Sequence, residues 1–204
     1  MIVKKFIKPP LDNNNYLVVD EKSREAVLID CSGDADDIMA YVGECKAVLK
    51  TVLLTHGHFD HVMGVNALKE KYGVGSRIFA AEVAEAERCG ELAAAIGMMN
   101  VEKPRIEGTF DEKSDLRIGD EKIKVIPTPG HTAGSVCFLI GKCLFAGDTL
   151  FRGSYGRTDL PGGDHDAMVQ SLRRLLTTLD DDVAVYPGHG ENTSVAAEKK
   201  FYPF

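Results

Sequence analysis

The stretch from position 55 to 61 places four possible metal ligands within six residues: His56, His58, Asp60 and His61. Imidazole and carboxylate groups bind zinc, iron and other divalent ions. At this spacing the four side chains cannot share one face of a helix or strand, so they converge only if the chain coils sharply after the preceding strand. Four ligands at a sharp turn indicate a site for two ions. The alternative is a polar loop whose histidines cap a helix, which does not explain why three of the six histidines occur here.

Three more candidate ligands lie further along the chain, at His131, Asp148 and His189. Each follows the end of an apolar stretch and has a glycine directly before it, as expected for a tight loop at the end of a buried strand. Such loops hold ligands rigidly before a metal arrives. Singly, each could be an ordinary turn, but together they bring five of the six histidines into the same setting. The sixth, His165, is interpreted as a solvated residue near a helix start.

The elements that must position these residues alternate along the chain. Apolar runs predict strands at 15–20, 25–30, 47–54, 77–80, 115–118, 122–128, 136–140, 142–146 and 183–186. Helices are predicted at 35–44, 62–72, 82–96 and 166–179, the first with Ser32 or Asp34 as its cap. Positions 100–115 read as irregular. With no long linker or repeat, the pattern predicts one domain over 1–204, built from two packed sheets flanked by helices.

Composition limits the possible functions of the 204-residue chain. The net charge of −7, without a basic cluster, argues against a nucleic-acid-binding surface. No apolar stretch reaches the roughly 18 residues of a membrane span, and the basic start lacks an apolar core of secretory length. The five cysteines are scattered and predict no disulfide framework. We therefore expect a cytoplasmic protein that binds neither nucleic acid nor membrane; its oligomeric state is not predicted.

The ligand motifs resemble those of the metallo-β-lactamase superfamily in order and approximate spacing, over nearly the whole chain. The resemblance implies an α/β fold, a four-layer αββα sandwich of two mixed sheets flanked by helices, with two metal ions in a groove at one edge of the sheets. It also implies the ligands: His56, His58 and His131 for one ion; Asp60, His61 and His189 for the other; and Asp148 bridging both.

The chemistry that follows is hydrolysis by a hydroxide held between the two ions. Metal coordination lowers the pKa of water to about 7, and one ion can polarise the substrate carbonyl. Asp60 and Asp148 are then catalytic carboxylates as well as ligands. The bridging carboxylate offsets the repulsion between the ions. Two divalent ions are expected, with Zn²⁺ favoured by the His and Asp donors, although iron and manganese accept the same donors.

Details of the motifs favour one branch of the superfamily. Asp148 stands where true β-lactamases would have a cysteine, and His58 disfavours the flavodiiron branch. The segments 147–164, 186–193 and 198–204 resemble glyoxalase II, the hydroxyacylglutathione hydrolases. Two features depart from the larger members of that group. They have a C-terminal helical domain that helps to hold glutathione, whereas only fifteen residues follow His189 here. They also have a lysine and a tyrosine where this chain has Arg157 and Asp159, which are expected to pair.

The predicted function is therefore hydrolysis of a small thioester such as S-lactoylglutathione. Arg152, Tyr155 and Arg157 are the candidate substrate contacts. Met98 and Met99 are predicted to pack in the core or, alternatively, to form an apolar wall of the groove.

Three alternatives stay open. One is an iron-dependent persulfide dioxygenase that would hold a single iron with His56, His131 and Asp148. The second is a lactonase of the same superfamily. The third is a degenerate domain that only binds a ligand, although all seven candidate ligands are present.

Overall fold

A computed structural model of the protein describes residues 1–202. The strands are β1 Ile2–Lys8, β2 Asn13–Val19, β3 Glu25–Ile29, β4 Val48–Leu54, β5 Ser76–Phe79, β6 Gly108–Phe110, β7 Leu116–Ile118, β8 Glu121–Pro127, β9 Val136–Ile140, β10 Cys143–Gly147, β11 Leu150–Phe151, β12 Ser154–Tyr155, β13 Ala184–Pro187 and β14 Thr193–Ser194. The first sheet has the strand order β1-β2-β3-β4-β5-β6 and the second β14-β13-β10-β9-β8-β7; β11 and β12 form a separate hairpin. The helices are α1 Asp36–Glu44, α2 Phe59–Val62, α3 Val65–Tyr72, α4 Val83–Glu87, α5 Cys89–Ala95, α6 His165–Thr178 and α7 Val195–Glu198, with a 3-10 turn at Ala80–Glu82.

Strand β2 shows why the layers form. Successive side chains on a strand point to opposite faces of the sheet. Tyr16 and Val18 therefore pack between the two sheets, whereas Leu17 and Val19 pack against the helices α1 to α5. All four are buried, so β2 has an apolar layer on each face.

The second sheet repeats this arrangement. On β9, Phe138 belongs to the core between the sheets, and Cys137 belongs to the core formed with α6 and α7. Both sheets are mixed, since β3-β4-β5-β6 and β10-β13 pair in parallel and the remaining pairs are antiparallel. The order helix, sheet, sheet, helix confirms the predicted αββα fold.

Several elements differ from the prediction. Strand β1 was not predicted, because its lysines at positions 4, 5 and 8 interrupt the apolar pattern; lysines are common on edge strands, where they prevent unwanted pairing. The predicted helix 62–72 begins only at Val65, as α3, and a separate short helix, α2, precedes it and ends at Val62. Gly64 lies between them and lets the chain pass Gly33, because a Cβ there would lie 2.3 Å from the Gly33 carbonyl oxygen. The predicted helix 82–96 is likewise divided at Arg88.

The remaining corrections concern short elements and caps. Strand β6 lies within the segment predicted as irregular, and β11, β12, β14 and α7 were too short to predict. Of the two predicted caps of α1, Asp34 accepts a 2.6 Å hydrogen bond from the amide of Asp36, the first residue of the helix. Ser32 is buried and accepts a hydrogen bond from Asn15 instead. Among residues 1–202 the five cysteines are free thiols, and no helix has the length and apolarity to cross a bilayer.

Candidate metal centre

The predicted ligands come together where four strands end. His56, His58, Asp60 and His61 lie in the turn between β4 and α2 and in α2 itself. The other three follow β8, β10 and β13 of the second sheet: His131, Asp148 and His189. The two sheets are joined at this edge, where the Asn14 amide donates a 2.7 Å hydrogen bond to the Gly188 carbonyl.

The seven side chains form adjoining groups. Ligand atoms lie within 4.8 Å of one another in the group His56, His58 and His131, and likewise in the group Asp60, His61 and His189. Asp148 lies between them. Its Oδ1 is 3.3 Å from Nε2 of His61, and its Oδ2 is 3.5 Å from Nε2 of His131 and 3.6 Å from Nε2 of His189. Two ligands bound to one tetrahedral ion at 2.0–2.1 Å lie about 3.4 Å apart, which these separations match.

Hydrogen bonds at Nδ1 turn the histidine Nε2 atoms toward this centre. Nδ1 of His131 donates to the Arg157 carbonyl at 2.7 Å, and Nδ1 of His189 donates to the Leu11 carbonyl at 3.0 Å. Nδ1 of His56 lies 3.1 Å from the Thr55 hydroxyl. Each ring is thereby fixed in the tautomer that leaves Nε2 free for a metal, as is usual for metal-binding histidines.

Asp30, at the end of β3, is a buried residue that the sequence prediction missed. Its carboxylate accepts hydrogen bonds from Nδ1 of His61 at 2.8 Å, from the Thr55 amide at 2.8 Å and from the Thr55 hydroxyl at 2.9 Å. The Asn13 side-chain nitrogen lies 2.8 Å from Nε2 of the same imidazole. Asp30 follows an apolar strand, as the predicted ligands do, and that signal could have identified it.

Glu82 supports the ligand turn from the opposite side. It is 1% exposed, and its Oε1 accepts a 3.0 Å hydrogen bond from the Gly57 amide, between two candidate ligands. Gly57 must be a glycine here, because a Cβ would lie 2.4 Å from the Ala86 nitrogen. Gly188 is constrained in the same way, since a Cβ would lie 2.3 Å from Oδ1 of Asp148.

The pKa shifts of the clustered side chains favour binding of a cation. Burial lowers the pKa of His58 to about 3, with a further contribution from His131, and burial holds the pKa of His56 well below its ordinary value. Burial alone would raise the pKa of Asp148, but the charge of His61 holds it below its ordinary value. Burial would lower the pKa of His61, yet Asp30 and Asp148 raise it. The carboxylate of Asp148 is thus ionised and requires positive charge beside it.

Unpartnered polar atoms test whether these residues fit a metal. Nε2 of His56, His58 and His131 and Oδ1 of Asp148 are buried without a hydrogen-bond partner in the described chain. Leaving a buried polar group unpaired normally costs about 1–3 kcal/mol. Neutral imidazole nitrogen and ionised carboxylate oxygen are the forms in which these groups bind divalent cations. The donor set therefore fits a divalent metal centre.

The positions of the three candidate substrate contacts give less support to their predicted role. Arg157 borders the cavity beside the centre, but its guanidinium binds both oxygens of Asp159 at 2.7 Å, which is the expected pairing. Arg152 pairs with Glu191 on the surface. Tyr155 packs with the core beneath α6, its ring centroid 6.1 Å from that of His165. Neither Arg152 nor Tyr155 lines the cavity, and a substrate role for the three residues stays a prediction.

Two further expectations are settled by burial. His165 is exposed at the first turn of α6, capped by Asp164, as predicted for a solvated residue near a helix start. Met98 is half-buried against the helix-side core, whereas Met99 is 73% exposed, so core packing is wrong for Met99. Neither methionine lines the cavity; Leu92 and Ile96 form that wall.

Comparison with known proteins decides the family. A model of the metallo-beta-lactamase superfamily matches residues 9–189, which include every candidate ligand. The chain belongs to the metallo-beta-lactamase superfamily. The recognition made from the motifs is therefore confirmed.

Several known proteins resemble the chain over most or all of its length. The hydroxyacylglutathione hydrolase GloC of Haemophilus influenzae is 33% identical, with 93% of this chain and 92% of GloC covered. The crystal structure of TTHA1623 in a di-iron-bound form has a TM-score of 0.85 and 35% identity, covering 99% of this chain and 100% of the other. The BLEG-1 B3 metallo-beta-lactamase has a TM-score of 0.87 and 30% identity, covering 100% and 99%. The chain is thus a metallo-beta-lactamase superfamily hydrolase with His and Asp clusters that can hold metal.

Proposed function

We propose that the protein is a dinuclear metal-dependent hydrolase of small thioesters, with S-lactoylglutathione as the reference substrate. The observation that carries the proposal is the position of Asp148 between two groups of three ligands. A single carboxylate within reach of both groups is what two adjacent cations need to offset their repulsion. His56, His58 and His131 would hold one ion, and Asp60, His61 and His189 the other.

Hydrolysis breaks the acyl C–S bond, forms a C–O bond to water and releases a carboxylic acid and a thiol. Two divalent ions, with zinc favoured by the donor set, would supply a hydroxide and polarise the carbonyl. The chain's own part is to position: Asp148 and Asp60 orient the centre, and Asp30 and Glu82 hold the ligand turn. The cavity beside the centre, about 350 Å³, receives the substrate.

The lining of that cavity favours a thioester over an ester or amide. Apart from the candidate ligands, Arg157 is its only charged or titratable lining residue among those described. No dedicated acid is therefore placed to protonate a leaving group. A thiolate is stable enough to leave without one, whereas an amine is not. The similarity to GloC, a hydroxyacylglutathione hydrolase, supports the same class.

The test is an assay of the metal-loaded protein with S-lactoylglutathione, following thiol release. We expect cleavage, and we expect Asp148→Ala to abolish it while the protein stays folded and loses metal. His165→Ala is the matched control, because it replaces an exposed histidine outside the candidate ligand groups. One bound iron with oxygen consumption on glutathione persulfide would instead establish the dioxygenase, and preferential opening of lactones the lactonase. The proposed partner is the small thioester alone; a single domain and a cytoplasmic location stay predictions.

A further inference from the structure

The cavity beside the metal centre continues along helix α5. A second cavity of about 250 Å³ adjoins it, and the two share His58, Leu92 and Leu160 as lining residues. His58 belongs to the candidate ligands, so the joint space begins at the reacting centre. Leu92 and Leu160 therefore lie where the two cavities meet.

The walls of this joint space are mainly apolar. Beyond the shared leucines, the cavity beside the centre is bordered by Ile96. The outer cavity is bordered by Ala95 and Pro161, together with the charged Glu85, Arg88 and Glu91. Ile96 is 53% exposed, although a large aliphatic side chain gains by being covered. The leucines and Ile96 thus offer contact surface to an aliphatic group.

The cations along the same walls already have partners. Arg157 binds Asp159 through two hydrogen bonds of 2.7 Å, and Arg88 binds Glu85 at 2.8 Å. Glu91 adds another carboxylate to the wall. Glutathione carries two carboxylates, each of which would have to displace one of these partners. The charges therefore oppose a glutathione peptide in this space, and nothing in the lining opposes an uncharged chain.

We propose that the joint space binds an uncharged aliphatic group of the thioester, in contact with Leu92, Ile96 and Leu160, and that this contact, rather than recognition of glutathione, sets substrate preference. The substrate preference in turnover rests on the proposed thioesterase function, whereas the binding of the aliphatic group does not. Each methylene buried there should raise kcat/KM for the longer thioester about fourfold.

Turnover of a small matrix of thioesters tests the preference and its source. Hexanoyl and acetyl esters of N-acetylcysteamine differ on the acyl side, and acetyl esters of hexanethiol and methanethiol differ on the thiol side. We expect kcat/KM to rise at least about tenfold with the longer chain on one of the two sides. We also expect the better six-carbon ester to exceed S-lactoylglutathione. A preference for S-lactoylglutathione with no gain from either chain would overturn the inference.

Binding of unreactive thioethers separates this inference from the proposed function. S-hexylglutathione should bind more tightly than S-methylglutathione, and N-acetyl-S-hexylcysteamine should bind no more weakly than S-hexylglutathione. Equal affinity of the hexyl and methyl compounds would overturn the inference. If the hexyl compounds bind more tightly but no thioester is cleaved, the proposed function would be overturned, and binding of an aliphatic group in the joint space would be upheld.

Substitution at the exposed Ile96 identifies the contact with little risk to folding. Ile96→Ser should remove most of the hexyl preference, in turnover and in thioether binding. The matched control is Val48→Ala, which alters an apolar residue 60% exposed at the far end of the strand that leads to His56. An undiminished hexyl preference in both Ile96→Ser and Leu160→Ser would contradict the proposed contact.

Discussion

Nδ1 of His61 donates a 2.8 Å hydrogen bond to Oδ2 of Asp30, and both side chains are almost completely buried. Asp30 has a left-handed backbone, with φ of 60°, at the end of β3. That turn aims its carboxylate at both His61 and Thr55. Asp30 thus fixes the orientation of one candidate ligand and, through Thr55, the start of the turn that carries the others.

Replacing Asp30 by asparagine should weaken metal binding about 10- to 100-fold, the usual cost of removing a partner of a metal-binding histidine. Asparagine tolerates the left-handed backbone and keeps the volume, so the fold should persist. Metal affinity is measured by competition with a chelator, and folding by circular dichroism. The exposed Asp34→Asn is the control and should bind metal normally. Unchanged affinity in Asp30→Asn would show that the hydrogen bond does not orient His61.

Glu82 should make stability depend on pH in a defined direction. Burial raises its pKa above the ordinary 4.5, although the Gly57 amide acts in the opposite sense. The folded chain therefore keeps a proton that the unfolded chain has lost. The contribution of Glu82 to stability is complete below about pH 4.5 and is lost as pH rises through the folded-state pKa. Glutamine cannot titrate, so Glu82→Gln should gain stability relative to the parent between about pH 4.5 and 7, by about 1.4 kcal/mol for each unit of upward shift.

Urea unfolding of the parent protein and of Glu82→Gln at about pH 4.5 and 7 measures this difference in stability. Groups that titrate in both proteins contribute equally and cancel. Glu112→Gln, at an exposed position, controls for removing one carboxylate from the chain. If the relative stability of Glu82→Gln fell as pH rose, the carboxylate would instead be stabilised in its ionised form.

The C-terminal segment should stabilise the hairpin that follows Asp148. Buried Glu198 accepts a 2.6 Å hydrogen bond from the Thr193 hydroxyl and a 2.9 Å bond from the Gly153 amide, between β11 and β12. Thr193→Val should lower the free energy of unfolding by about 1 kcal/mol, since it leaves a buried carboxylate oxygen unpaired. Thr178→Val, which removes an exposed bond within α6, should change it by less than about 0.5 kcal/mol. Equal losses in the two variants would argue against a special role for Glu198.

The candidate ligands were predictable because five of the six histidines, with two aspartates, occur shortly after the ends of apolar strands. The roles of the residues that support these ligands were not predictable. Glu82 looks like any acid in a helix-forming stretch, and its burial depends on the distant turn at Gly57. Asp30 resembled a strand end, and its role depends on His61, distant in the chain. Local sequence shows which residues can bind metal, whereas their supports depend on tertiary contacts.

The secondary structure was likewise predictable where it depends on local sequence and not where it depends on tertiary contacts. The interior strands have enough buried apolar residues to be predicted, as on β2 with Tyr16 to Val19. The edge strand β1 and the two-residue strands lack that signal and exist because a neighbour offers hydrogen bonds. The break at Gly64 likewise follows from contact with Gly33, which no helical periodicity contains. Of the terminal segment 198–204 that resembled glyoxalase II, positions 203 and 204 lie outside the described residues.

Metal content per chain tests the two-ion centre most directly. Elemental analysis of the purified, metal-loaded protein should give two divalent ions per chain, and His189→Ala should give one, because only the group with Asp60 and His61 loses a ligand. The matched control His165→Ala should keep two. One ion per chain in the parent protein, or two in His189→Ala, would contradict the dinuclear account.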